Sequence, residues 1–81
     1  MYFVYILKCA DKSFYTGITT NIEKRLEKHK NGTASKYTRV HGALKIVYKE
    51  KHKNRSIASK REFEIKSWDR KKKIELIENS K

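Results

Sequence analysis

The chain contains no proline, a single cysteine and three glycines, and its nine acidic residues face 21 lysines and arginines. No proline-rich linker and no internal repeat divides the 81 residues, so they are read as one domain. A chain of that size buries roughly 60% of the surface its unfolded form exposes, which leaves one thin core. A lone cysteine, Cys9, excludes an intrachain disulfide and fits a reducing compartment. In an apolar strand it reads as a packing residue rather than a nucleophile. There is no run of 18 apolar residues, and Lys8 and Asp11 interrupt the apolar start. Neither a membrane span nor a signal segment is therefore expected, and a cytoplasmic location is. The scarcity of acids leaves a net charge of +12, whose most economical explanation is a polyanionic partner, nucleic acid ahead of a membrane surface.

What is present reads as a compact series of elements. The aromatic and β-branched stretches 2–9 (YFVYILKC) and 13–19 (SFYTGIT), separated by the turn residues ADK, predict a β-hairpin. Thr20 followed by Glu23 matches a capping box, and Ile22, Leu26 and Gly32 frame a helix over about 21–31. The segment 33–42 (TASKYTRVHG) reads as a loop and 44–50 as a third strand. From residue 55 or 56 the spacing of Ile57, Ala58, Arg61, Ile65 and Trp68 is helical. Asp69 can cap a last helix in which Ile74 and Ile77 face inward. The expectation is an α+β domain, a small three-stranded antiparallel sheet flanked by three helices in the order β-β-α-β-α-α.

Polar groups on faces that should be apolar mark candidate chemistry. Ile22, Arg25, Leu26 and His29 share one helical stripe, so Arg25 and His29 point toward the sheet or its margin. Arg25 could equally lay its stem on the core with its head in water, and His29 could simply satisfy the last helix carbonyls. Glu62 edges the inward stripe of the later helix, either as a charge partner of Arg25 or Arg61 or as the single carboxylate of a Mg²⁺ site. A three-residue ADK loop would pair Cys9 with Ser13, Leu7 with Tyr15 and Tyr5 with Gly17, setting both tyrosine hydroxyls on one face. A two- or four-residue loop would separate them. In the first register the missing side chain of Gly17 leaves a gap beside Tyr5 for a phosphate or a water.

These residues carry a resemblance. Val4-Tyr5-Ile6, then Tyr15-Thr16-Gly17 ten residues on, Arg25 and His29 four apart in the next helix and Glu62 in a later one are together similar to the GIY-YIG nuclease superfamily. The similarity covers essentially the whole chain. With the YFVYILKC start, SKYTR at 35–39 and REFEIKSW at 61–68, it resembles more narrowly the small proteins made of one such domain. The resemblance implies phosphodiester cleavage with one divalent metal, Mg²⁺ or Mn²⁺, held by Glu62. Tyr5 would help to activate the attacking water, Tyr15 and His29 would orient or deprotonate it, and Arg25 would clamp the scissile phosphate. Phe3 and Thr16 replace the glycine and isoleucine of the motif, both outside that chemistry.

The basic, aromatic-bearing stretch Lys36, Tyr37, Arg39, His41 and the RKKK run at 70–73 could hold backbone phosphates, although charge runs are usually solvated faces. Tyr37 could stack on an unpaired base or pack back onto the domain. With no room for an attached recognition module, substrate choice falls to this surface or to a protein partner. The resulting expectation is a metal-dependent, structure-preferring DNA endonuclease, with RNA kept open as a substrate. The alternatives are a non-catalytic nucleic-acid-binding module and an interaction subunit of a larger nuclease.

Overall fold

The computed structural model of the chain describes residues 1–80. Its elements are β1 (Tyr2–Cys9), β2 (Phe14–Thr19), α1 (Ile22–Lys30), α2 (Lys36–His41), β3 (Ala43–His52), α3 (Arg55–Lys66) and α4 (Arg70–Asn79). The strands form one antiparallel sheet in the order β2-β1-β3, as expected for an α+β domain.

The run of apolar residues in β1 follows from its central position, because both of its faces are covered. Val4 and Ile6 pack with Ala58, Ile65 and Ile77 from α3 and α4 on one face. Tyr5, Leu7 and Cys9 pack with Tyr15, Ile22, Leu26, Ala43 and Ile46 on the other, under α1. A register shift in β3 between the partners of Ile6 and Leu7 sends Tyr48 to the first face and Ile46 to the second. That is how a β-bulge re-aims side chains. Cys9 is completely buried.

The hairpin takes the three-residue loop Ala10–Lys12, with Cys9 N–H donating to the Ser13 carbonyl at 2.8 Å and Lys12 N–H to the Cys9 carbonyl at 2.9 Å. Lys12 closes it at φ 72°. The register pairs Tyr5 with Gly17 and Leu7 with Tyr15, so Tyr5 and Tyr15 share a face.

Each helix starts on a short polar cap: Asn21, Ser35, Asn54 and Asp69 accept from Lys24, Tyr37, Ile57 and Lys72 N–H respectively. Three of these details differ from expectation. Asn21 caps α1 in place of Thr20. The expected loop 33–42 contains α2, so there are four helices. Its only buried residue is Thr38, which leaves no apolar periodicity to betray it. Ile74 is exposed, and Leu76 packs beside Ile77 instead.

Candidate active site

The site begins with Tyr5, held in the middle strand and only 1% exposed. Its ring leans across the sheet over Gly17, where an added Cβ would lie 2.6 Å from the tyrosine oxygen and 2.8 Å from Cζ. The glycine therefore makes room for Tyr5 itself. The gap expected to admit a phosphate or water is filled by that ring, and Gly17 supports the site from beneath.

One turn beyond Arg25, His29 brings its imidazole down onto the same face, 2% exposed. Its Nε2 lies 2.8 Å from the Tyr5 hydroxyl and its Nδ1 2.7 Å from Thr38 Oγ1 on α2. Tyr15 stands edge-on to the imidazole at 5.0 Å between ring centres and 6.4 Å from the Tyr5 ring. The ladder continues outward through Tyr37, 5.8 Å from Tyr15, to His41, 4.1 Å further. His41 Nδ1 is paired with the Asp11 carboxylate in the hairpin turn, which also accepts from the Ser13 hydroxyl at 2.6 Å and the Ser13 N–H at 3.0 Å. The Ser13 hydroxyl above all, then its N–H and His41, hold the Asp11 carboxyl down to about 2.

Electrostatics keep the centre neutral. Burial, then the charge of Tyr15, pushes the Tyr5 phenol well above its ordinary 10, with Arg25 opposing and Glu62 adding to the rise. Burial, then the Arg25 guanidinium, pulls His29 below its usual 6.5. Tyr5 thus keeps its proton at neutral pH and shares a hydrogen bond with an uncharged imidazole. Arg25, half-buried, has no carboxylate within salt-bridge distance among the described residues.

Glu62 stands on α3, behind the sheet, yet its charge reaches Tyr5. Tyr5 leans toward β2, and α3 also packs on β2, so the outer strand is their shared neighbour. The carboxylate pairs with Lys66 at 3.2 Å, not with Arg25 or Arg61; Arg61 binds Glu50 and Glu64, each at 2.7 Å. Among the described residues no group of three His, Cys, Asp or Glu side chains could enclose a metal ion. That donor set does not suit zinc, which takes three or four protein ligands. It does suit Mg²⁺, which keeps several waters and binds through one or two carboxylates plus phosphate oxygens.

Of the expected surface residues, Lys36, Tyr37 and Arg39 are exposed on α2, with Tyr37 packed back between Tyr15 and His41. Half of the RKKK run is engaged internally. Arg70 donates to the Lys12 carbonyl at 2.7 Å and covers the Phe14 ring, and Lys72 sits 4.5 Å above Trp68. Thr38 was not foreseeable, since a threonine in a polar stretch carries no signal of its partner.

Comparison with known proteins gives the family. The family model described as the GIY-YIG catalytic domain matches residues 1–75. The chain belongs to the GIY-YIG family. This GIY-YIG chain is 51% identical over 77 residues to a UPF0213 protein of Clostridium perfringens, covering 95% of the chain and 83% of that relative. It is 47% identical over 76 residues to one of Staphylococcus saprophyticus, covering 94% and 93%. The solution NMR structure of a UPF0213 protein from Bacillus halodurans superposes with a TM-score of 0.61 at 39% identity, covering 96% of this chain and 84% of that one. Nuclease chemistry is the family's character; the relatives' names give no activity. Thr16, at the isoleucine position of the family motif, is buried with its hydroxyl unpartnered.

Proposed function

We propose that this chain is a divalent-metal-dependent endonuclease that hydrolyses phosphodiester bonds in DNA, selecting substrate by shape and backbone rather than base sequence. The observation that carries the reading is the 2.8 Å hydrogen bond between the Tyr5 hydroxyl and His29 Nε2 in a buried centre beside an arginine with no carboxylate partner among the described residues. A phenol that holds its proton is no base by itself, but it becomes one if its proton moves on as another arrives. In the proposed step the water proton passes to the Tyr5 oxygen while the Tyr5 proton passes to His29 Nε2. The water oxygen bonds to phosphorus, and the opposite P–O bond breaks, its oxygen taking a proton from solvent.

Arg25 would donate to the non-bridging oxygens, and the Tyr15 hydroxyl would orient the water. The imidazolium formed at His29 is opposed by burial and by Arg25. A phosphate on Arg25 offsets that second charge, so the transfer is eased once substrate is in place. Mg²⁺, or Mn²⁺ in its place, held by Glu62 and phosphate oxygens, would supply Lewis-acid stabilisation of the developing charge. Lys36 and Arg39, exposed beside the site, would hold neighbouring phosphates, with finer selection left to a protein partner.

The test is cleavage of single-stranded, duplex, flap and branched DNA, with RNA counterparts, in Mg²⁺, Mn²⁺ or EDTA. Glu62→Gln should lose cleavage by several orders of magnitude yet bind DNA at least as well. Arg25→Ala should lose about 3 kcal/mol of transition-state stabilisation together with some affinity. Equal cleavage by wild type and Glu62→Gln would refute the metal assignment. The Glu62–Lys66 pair favours a second reading, a nucleic-acid-binding module without turnover. That reading prevails if no substrate is cleaved with any metal.

A further inference from the structure

We propose that Thr38 is a positioning residue which, by accepting the Nδ1–H of His29, holds the imidazole in the tautomer whose Nε2 lone pair receives the Tyr5 proton. The inference deepens the reading of Tyr5 and His29 as a proton-transfer pair and rests on it for its catalytic meaning. Its structural content stands on the two contacts of the imidazole and the bond from Thr38 to the Ser35 carbonyl.

Thr38 is 1% exposed, and its Oγ1 has two neighbours: His29 Nδ1 at 2.7 Å and the Ser35 carbonyl at 3.3 Å. A threonine hydroxyl bonded back to a carbonyl three residues earlier is ordinary in a helix. What is not ordinary is the second contact. A carbonyl oxygen can only accept, so a Thr38 proton turned toward Ser35 leaves lone pairs facing His29. Nδ1 is then the protonated ring nitrogen. Nε2 is left bare at the other end, where the protonated Tyr5 phenol can donate to it. A directed chain results, Tyr5 O–H to Nε2, Nδ1–H to Thr38 Oγ1, and Thr38 O–H to the Ser35 carbonyl. Ser35 is also the cap of α2, accepting from Tyr37 N–H at 3.1 Å, so the short helix acts as the holder of the tautomer. The opposite tautomer would need both hydroxyls to turn, Thr38 leaving the Ser35 carbonyl to donate to Nδ1 and Tyr5 accepting from Nε2–H.

Thr38→Val keeps the shape and removes the acceptor, whereas Thr38→Ser keeps the acceptor. Long-range ¹H–¹⁵N correlation of the His29 ring should find Nδ1 protonated in wild type and Thr38→Ser. In Thr38→Val the population should move toward Nε2–H. On a cleaved substrate Thr38→Val should lower kcat on the order of 10²-fold with KM within about twofold, and Thr38→Ser should restore it, as expected when a base is held in the wrong tautomer. A wild-type ring protonated on Nε2 overturns the proposal, as does a Thr38→Val ring with an unchanged tautomer. Should Thr38→Val not fold, the wild-type tautomer decides. A shift in tautomer without cleavage by any form supports the lock and refutes the nuclease reading instead.

Discussion

Gly17 shows how little separates a working centre from a blocked one. Its place beneath Tyr5 is tight because a Cβ would sit 2.6 Å from the tyrosine oxygen, and the buried ring has no free direction in which to yield. Gly17→Ala should cost about 1–3 kcal/mol in urea unfolding and displace Tyr5 from His29. Unchanged stability would mean that the ring is held less firmly than its burial implies. The neighbouring residue offers the opposite change. Thr16 Oγ1 is buried without a partner, so Thr16→Val, of nearly the same shape, should gain about 1–2 kcal/mol by removing an unsatisfied hydroxyl. A melting temperature no higher than wild type would show that the hydroxyl is satisfied after all.

Among the elements, β3 and α3 are joined at Glu50, which accepts from His52 Nε2 at 2.9 Å and Arg61 Nε at 2.7 Å, and from the Tyr48 hydroxyl. Burial pushes the Glu50 carboxyl up, but the hydrogen bonds from Tyr48, His52 and Arg61 outweigh it and leave the group below its ordinary 4.5. A depressed carboxylate stabilises the fold above its unfolded value, and the contribution is lost as pH falls through the folded one. His29 acts in an earlier window: the unfolded chain takes up its proton near 6.5 while the folded chain resists, so stability declines from there downward. Unfolding free energies measured from about pH 7 to pH 4 should therefore fall in two stages. Glu50→Gln should shrink the later one, which the depressed Asp11 carboxyl shares. A profile level down to about pH 5 would contradict a neutral, buried His29.

The hairpin and the amphipathic helices were legible in the sequence because period-two and period-3.6 patterns report which face is covered. The pairing of Tyr5 with Gly17, and with it the shared face of the two tyrosines, hung on a loop length that the sequence left open, and the structure takes the three-residue one. Helix α2 was not legible, because its single buried residue is polar and points at a histidine nine positions away. The partner of Glu62 was hidden for a related reason: the inward stripe says which way a carboxylate leans, not which of several lysines and arginines will reach it.

For the whole molecule the governing quantity is the charge of +12, discounted by the cations already engaged at Arg61, Arg70 and Lys72. If roughly six phosphates are neutralised, the logarithm of the DNA-binding constant should fall with the logarithm of salt at a slope of about −5. Titrations across ionic strength decide this, and tight binding indifferent to salt would contradict it. The sheet's order has a last consequence. The single thiol lies in the middle strand, wholly covered, and burial lifts its pKa above the usual range, so it stays unreactive while the fold is closed. Cys9 closes β1 beside the hairpin turn, so it is uncovered once that end of the sheet opens. The rate at which a thiol reagent modifies the native protein is then a clock for that opening, built into the chain without any engineered label.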